Sequence, residues 1–148
     1  RVTGTVAPLI EIGAGFHPDL TGRENIFMNG TILGMRISEI RHNINSIIAF
    51  SELEEFIDMP IKKYSSGMYL RLGFAIAMHS RADIYLIDEI LAVGDESFQL
   101  KCLAKIDELK KAGKTLLVVS HSKELMEQVC DRMLHISKGM LVNESFHA

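Results

Sequence analysis

Two polar segments follow apolar runs in the second half of this sequence, and their residue types suit phosphoryl transfer. Asp88-Glu89 comes directly after Ile84 to Ile87, and Ser120-His121-Ser122 comes after Thr115 to Val119. If both runs are parallel strands, their carboxyl ends meet at one sheet edge, where open α/β folds bind ligands. One carboxylate can hold Mg²⁺ through water, the next can orient an attacking water, and the imidazole can contact a terminal phosphate. For Asp-Glu alone, a pair of solvated loop acids is an equally good explanation.

Ser65-Ser66-Gly67 is a third segment with residue types that suit phosphate. A serine hydroxyl caps the free N–H groups at a helix start, the helix dipole is positive there, and a glycine lets a phosphate approach the backbone. Apolar residues from Met68 to Ile76 predict that this helix is buried. Taken alone, the segment fits an ordinary serine-capped helix better. The three segments together are harder to obtain by chance than any one of them alone. In order along the chain they are a capped helix, a strand followed by Asp-Glu, and a strand followed by a histidine.

The first half of the chain has mainly helical spacing. Leu9 to Ile12 predicts a short strand that leads into a glycine-rich turn at 13–15. Thr21 to Glu24 has the capping-box spacing and predicts a helix over about 22–34. A second helix is expected after Ser38, and Ser51 with Glu54 repeats the capping pattern and predicts a third.

The second half alternates strands and helices, which predicts a parallel α/β sheet. The uninterrupted apolar run at 84–87 is typical of a strand covered on both faces. Further elements are expected as a helix over 98–109 ended by Gly113, a strand over 115–119, a helix around 125–129, and two strands within 133–142 joined at Lys138-Gly139.

Composition narrows the function classes. The chain has 148 residues, of which 47% are hydrophobic and 24% charged, which suits one globular domain with its own core. A net charge of -3 and a pI near 6.1, without a run of Lys or Arg, argue against duplex nucleic acid as a partner. No run approaches the roughly 18 apolar residues of a membrane span, so any membrane role is expected to pass through a partner. Cys102 and Cys130 are expected to be reduced core residues.

The ordered motifs resemble the ATP-binding subunit of ABC transporters over essentially the whole chain. Tyr64 to Met68 looks like the signature motif LSGGQ, Ile84 to Glu89 like the Walker B strand, Ala92 to Asp95 like the D-loop, and His121 like the switch histidine. Segments 13–25 and 93–98 are similar to exporters of polysaccharide, O-antigen or teichoic acid. The implied fold is α/β, an incomplete P-loop NTPase-like ABC ATPase domain with a parallel sheet core and an inserted helical subdomain.

The resemblance also implies a division of the chain and a set of roles. Residues 1–15 would be a remnant of the core lobe with the Q-loop region, 16–80 the helical subdomain that ends in the signature helix, and 81–148 the second half of the ATPase core. Glu89 would be the catalytic base, and Glu11 would lie near Mg²⁺ at the Q-loop position. The implied nucleotide-binding residues are Ser65, Ser66, Gly67, Asp88, Asp95 and His121, with Asp88 holding Mg²⁺ through water.

The implied cofactors are ATP and Mg²⁺, and the implied partners are a second copy of the subunit and a transmembrane permease. In the resembled family the two copies pair head to tail, so each signature helix caps the γ-phosphate of ATP held by the other copy. No nucleic-acid partner is implied. The permease would hold the protein at the cytoplasmic face of the cell membrane.

Three departures from the family pattern change what is expected of this chain. The signature has Tyr64, Ser66 and Met68 where the family has Leu, Gly and Gln, and Glu11 stands where the family usually has glutamine. No G-x-x-x-x-G-K-[ST] phosphate loop occurs in the sequence. Losing about four charge-assisted hydrogen bonds removes on the order of 6 to 12 kcal/mol, whereas a micromolar ligand has about 8 kcal/mol in total. The chain alone is therefore expected to be inactive, and its start at Arg1 fits a piece of a longer protein.

Two other functions are compatible with these residues. One is a related ATPase outside transport that acts on DNA or the ribosome, although such proteins bring long coiled coils or basic tracts. The other is a non-catalytic interaction module, if the chain is complete as given and its motifs are relics.

Overall fold

A three-stranded parallel sheet lies at the centre of the molecule. The computed structural model describes residues 1–9, 12–88 and 94–146. Across these residues the sheet order is β1-β2-β3, formed by Val6–Leu9, Ile84–Asp88 and Thr115–Val119. A separate antiparallel pair consists of β4, Arg132–Ser137, and β5, Met140–Phe146. The helices are α1 (Gly22–Ile32), α2 (Ile37–Ser51), α3 (Ser66–Met78), α4 (Glu96–Lys111) and α5 (Lys123–Val129), with a 3₁₀ turn at Ile61–Lys63.

One face of the sheet is buried under helices. Side chains of all three strands join one core with residues of α3, α4 and α5: Leu9, Tyr85, Ile87, Val118, Phe74, Phe98, Cys102, Ile106 and Val129. On β3, Leu117 is 58% exposed and Val119 is 55% exposed. The prediction that the 84–87 strand is covered on both faces is wrong for the described chain, because β2 alternates buried and half-buried residues. The described helices supply a full cover for one face only.

A second core holds the helical part together. It combines residues of α1, α2, the 52–61 segment and α3, among them Ile26, Ile40, Ile47, Leu53, Ile57, Leu72 and Ile76. The capping box predicted for α1 is confirmed, since the Thr21 side chain and the Glu24 side chain each bond the other's backbone N–H. Helix α3 belongs to both cores, with Leu72 and Ile76 in this one and Phe74 and Met78 against the sheet. It therefore joins the helical part to the sheet.

The predicted third helix after Ser51 does not form. Ser51 is instead the last residue of α2, and its hydroxyl donates to the Ile48 carbonyl rather than capping a new helix. Glu52 then takes a left-handed conformation with φ of 59°, which ends the helix. Turns follow, and Leu53 and Ile57 enter the helical core. The first strand is described over Val6–Leu9 and shares Leu9 with the predicted strand, of which residues 10 and 11 lie outside the described ranges.

The predicted order of the second half is confirmed. Gly113 has φ of +75° and donates its N–H to the Lys110 carbonyl 2.9 Å away, as a glycine beyond a helix end does. Lys138 and Gly139 both have positive φ, the requirement of a tight hairpin turn. Cys102 and Cys130 are free thiols, the first buried and the second half-buried. Among the described residues, no helix combines the length and apolar character needed to cross a bilayer.

Candidate functional site

The sheet edge brings together the segments that carry Asp88 and His121. Asp88 is the last residue of β2, and its Cα partner in the parallel ladder is Val119, the last residue of β3. Adjacent strands lie about 4.8 Å apart, so the chain leaves both strands side by side at their carboxyl ends. Asp88 is half-buried and His121 is exposed. A carboxylate and an imidazole can thus face one ligand at this edge.

Hydrogen bonds fix the turn that contains His121. The backbone N–H of Ser122 donates to the Ser120 hydroxyl at 3.1 Å. Ser122 also caps α5, because its hydroxyl oxygen accepts from the Leu125 N–H at 3.3 Å. These two hydrogen bonds hold the backbone around His121, between the end of β3 and the start of α5.

The start of α3 is a serine cap with an open surface. The Ser65 hydroxyl oxygen accepts from the Met68 N–H at 3.2 Å, and Ser65 and Ser66 are exposed. A Cβ added to Gly67 would meet nothing nearer than the Ser65 Oγ at 3.9 Å. Neither internal packing nor a left-handed φ requires a glycine here. The bare backbone is instead available to an approaching group, and the helix dipole favours an anion.

Asp95 begins α4 and is also held by α3. Its carboxylate accepts from the Phe98 N–H at 3.0 Å and from the Ser97 hydroxyl at 2.9 Å. The Arg71 guanidinium, from α3, donates to it at 2.9 Å. These contacts, with the Phe98 backbone bond as the largest cause, lower the pKa of Asp95, so the group is ionised at neutral pH.

A second link ties α3 to the turn that follows Glu11. The Tyr69 hydroxyl donates to the Gly13 carbonyl at 2.9 Å, and the Tyr69 ring meets Phe16 edge to face with centroids 4.9 Å apart. The approach is close at both glycines: a Cβ on Gly13 would lie 2.2 Å from the Tyr69 ring, and one on Gly73 would lie 2.3 Å from Ile12. The turn after the Q-loop position is therefore packed directly on the helix that begins at Ser65.

Several of the predicted site residues fall outside the described ranges. These are Glu89 and Glu11, together with Ala92 and Val93 of the D-loop segment. Sequence reasoning in turn missed Arg71, Glu52 and Tyr69, whose contacts join segments 19 to 56 positions apart. A signal that could have pointed to Arg71 is its charge, since it is the one charged residue of α3.

The donor set suits magnesium held partly by other ligands. Over the described ranges, no group of three or more His, Cys, Asp or Glu side chains is arranged to hold a metal ion. Mg²⁺ usually keeps several waters and binds one or two carboxylates together with substrate phosphates. Asp88, at the carboxyl end of β2, supplies one such carboxylate. The residues therefore fit a water-bridged and phosphate-bridged ion, not a protein cage.

No protein-family model matches the chain, but curated proteins do. It is 53% identical over 138 residues to an O-antigen export system ATP-binding protein RfbB of Klebsiella pneumoniae, covering 93% of the chain and 56% of that protein. A protein of the same description from Myxococcus xanthus is 53% identical over 139 residues, with 94% and 32% covered. The teichoic acids export ATP-binding protein TagH of Enterococcus faecalis is 50% identical over 141 residues, with 95% and 31% covered. The chain thus spans between 31% and 56% of these relatives.

Solved structures share the fold. An ATP-binding subunit of an ABC transporter superimposes with a TM-score of 0.83 at 20% identity, covering 96% of this chain and 59% of that one. A dimeric ATP-binding cassette in a post-hydrolysis state, bound to ADP and Pi, gives a TM-score of 0.77 at 22% identity, covering 96% and 62%. The predicted fold class, that of an ABC ATPase domain with a parallel sheet, is confirmed by these two likenesses.

Proposed function

Because the chain belongs to the ABC family of ATP-binding subunits, we propose that the full-length protein hydrolyses ATP to drive export of a polysaccharide, O-antigen or teichoic acid. The observation that carries this proposal is the shared sheet edge, where Asp88 ends β2 opposite Val119, two residues before His121. The relatives' descriptions as export ATP-binding proteins support the transport role.

The residues at the sheet edge divide the work of hydrolysis. Asp88 would hold Mg²⁺ through its water shell, and the bound ion would neutralise charge on the phosphates. Glu89 accepts a proton from the attacking water and orients it, and His121 donates a hydrogen bond to the γ-phosphate. Glu11, the residue at the Q-loop position of the sequence, is the second residue that we assign to the metal. Since phosphoryl transfer depends on positioning and charge, the reaction needs no covalent intermediate with the protein.

The start of α3 serves the ATP of a second copy. Ser65, Ser66 and Gly67 offer hydroxyls and backbone N–H groups at the positive end of a helix, on an open surface. In a head-to-tail homodimer this surface closes over the γ-phosphate held by the partner copy. Asp95 links the two sites across the dimer. The phosphate loop for each ATP comes from the full-length protein.

The helical segment connects hydrolysis to a membrane partner. Residues 16–80 form the helical subdomain and pass closure of the dimer to a transmembrane permease. Residues 1–15 and 81–148 belong to the ATPase core. Binding to the permease holds the protein at the cytoplasmic face of the membrane.

The test of this function is Glu89→Gln in the full-length protein. We expect ATP binding, measured by equilibrium dialysis, to be retained. Phosphate release should fall by about 10² to 10⁴-fold, the usual contribution of a general base. In cells, the variant should leave polymer inside and none at the surface.

Glu127→Gln is the matched control, because Glu127 is exposed and, among the described residues, forms an ion pair with Lys123 of the same helix at 3.4 Å. It should keep wild-type turnover. Near-normal hydrolysis by Glu89→Gln would contradict the role of Glu89, and absence of hydrolysis in the wild type would contradict the proposed function.

A further inference from the structure

One arginine joins three parts of the fold close to the start of α3. Arg71 donates through Nη1 to Glu52 Oε2 at 2.6 Å and through Nη2 to Asp95 Oδ2 at 2.9 Å. Its side chain is only 17% exposed, and its guanidinium carbon lies 4.7 Å from the centre of the Phe98 ring. Glu52 is the C-cap of α2, Arg71 belongs to α3, and Asp95 is the N-cap of α4. The planar guanidinium presents its donors to the two carboxylates in a fixed geometry, which the flexible ammonium group of a lysine does not.

The carboxylate of Glu52 is shared with a second cation. Lys101 of α4 donates to Glu52 Oε1 at 3.2 Å and to the Ala49 carbonyl at 3.1 Å. Glu52 follows the last residue of α2 and has a left-handed φ of 59°. Two cations and two carboxylates thus alternate across the contact between the helical part and α4.

Aromatic rings pack against the cations of these ion pairs, with Arg71 over Phe98 and Lys101 over Phe50. Phe50 of α2, Phe74 of α3 and Phe98 of α4 meet with centroid distances of 5.8 to 6.3 Å. Phe74 and Phe98 are fully buried. Ion pairs that pack against buried apolar rings are screened by solvent less than pairs between exposed side chains. The contact between α3 and α4 therefore has a defined geometry.

The cap of α4 does not account for the charge at position 95. The cap uses Asp95 Oδ1, which accepts from Phe98 and Ser97, whereas Oδ2 accepts from Arg71. Asparagine caps helices about as well as aspartate. The second oxygen and the negative charge of Asp95 are explained by Arg71.

We infer that Arg71 is a positioning residue for hydrolysis: it couples the helix that begins at Ser65 to Asp95, the anchored end of the segment that carries Glu89. This inference rests on the proposed function. When the start of α3 engages a phosphate, the Arg71 contact carries its movement to Asp95. Loss of the contact leaves the Asp95 carboxylate, six positions after Glu89, held only by its bonds at the start of α4. Turnover then falls while the affinity for ATP stays.

The experiment uses the full-length protein with Arg71→Gln, Arg71→Lys, Asp95→Asn and the double variant Arg71→Gln/Asp95→Asn. We expect kcat to fall at least tenfold for Arg71→Gln, since small misplacements of reacting groups cost up to about 10²-fold, while the KM for ATP stays within about twofold. Arg71→Lys should recover part of the loss. The double variant should be no slower than the slower single variant, because both changes break one link.

Arg23→Gln is the matched control. Arg23 also makes a two-pronged pair, with Asp58 at 2.7 and 3.2 Å, but both residues lie within the helical part. It removes a two-pronged ion pair without touching the contact with α4, and it should leave kcat unchanged. Asp95→Asn keeps the cap of α4 and tests the same link if Arg71→Gln fails to fold.

Wild-type kcat in both Arg71→Gln and Asp95→Asn would overturn the inference. So would losses that multiply in the double variant, since that would mean two separate roles. These failures are distinct from failure of the proposed function, which Glu89→Gln tests independently. If Glu89→Gln is inactive and Arg71→Gln is fully active, the result contradicts the coupling role of Arg71 and leaves the proposed function intact.

Discussion

Gly67→Ala separates a structural from a functional reason for the glycine at the start of α3. Gly67 is the second residue of this helix, and an added Cβ would meet nothing nearer than 3.9 Å. Alanine has the higher helix propensity by up to about 1 kcal/mol, so the substitution should leave the free energy of unfolding unchanged or raise it. For a protein of this size class, 1 kcal/mol shifts the melting temperature by about 2 to 4 °C.

Turnover should move in the opposite direction. If a phosphate lies on the backbone at Gly67, a methyl group there displaces it and removes a charge-assisted hydrogen bond of about 1.5 to 3 kcal/mol. At about 1.4 kcal/mol for each factor of ten, kcat/KM should fall roughly 10- to 150-fold. The assay is phosphate release by the full-length protein, with thermal unfolding measured on the same samples.

Gly30→Ala is a control with the reverse pattern. A Cβ on Gly30 would lie 2.9 Å from Ile40 Cδ1 inside the helical core. This variant should lose stability and keep its turnover per folded molecule. A Gly67→Ala protein that melts at or above the wild-type temperature and hydrolyses ATP at the wild-type rate would refute the phosphate contact at α3.

Two further substitutions probe the surroundings of the site. In Gly73→Ala the new Cβ would lie 2.3 Å from Ile12 and 3.0 Å from the Gly13 backbone. We therefore expect the free energy of unfolding, measured with urea, to fall by about 1 to 3 kcal/mol. Hydrolysis should also slow, because the turn at Gly13 has to shift. Burial lowers the pKa of the His79 imidazole, which bonds the Ala75 carbonyl; the folded state thus favours the neutral ring, and stability should fall as pH drops from about 6.5 through the folded pKa. His79→Gln should flatten this slope in melting curves between pH 8 and pH 5, and an unchanged slope would contradict the assignment to His79.

Local patterns were enough to predict most elements of the fold. The capping box at Thr21, the serine cap at Ser65 and the glycine after α4 act within four residues, so the sequence displays them directly. The prediction of a third helix was wrong because a serine such as Ser51 can either cap a new helix or end the preceding one. Ser51 ends α2 because the next residue, Glu52, takes a left-handed φ. The Glu52 side chain forms ion pairs with Arg71 and Lys101, which lie 19 and 49 positions further along the chain.

The candidate site was predictable only in part for the same reason. The strand rule places Asp88 and His121 at one sheet edge without any knowledge of long-range contacts. The link from Arg71 to Asp95 spans 24 positions, and the link from Tyr69 to Gly13 spans 56. Neither has a local signature, because each exists only once the helical part has packed on the sheet.

The central claim is that the α3 start of one copy and the Asp88-Glu89 edge of another form a single site, and mixing two inactive full-length variants tests it most directly. Gly67→Asp disables only the α3 surface, and Glu89→Gln disables only the sheet edge. Random pairing of equal amounts gives half mixed dimers, each with one intact site, so we expect about a quarter of the wild-type rate of phosphate release. A mixture that hydrolyses no more ATP than the two variants measured separately would contradict a site shared between copies.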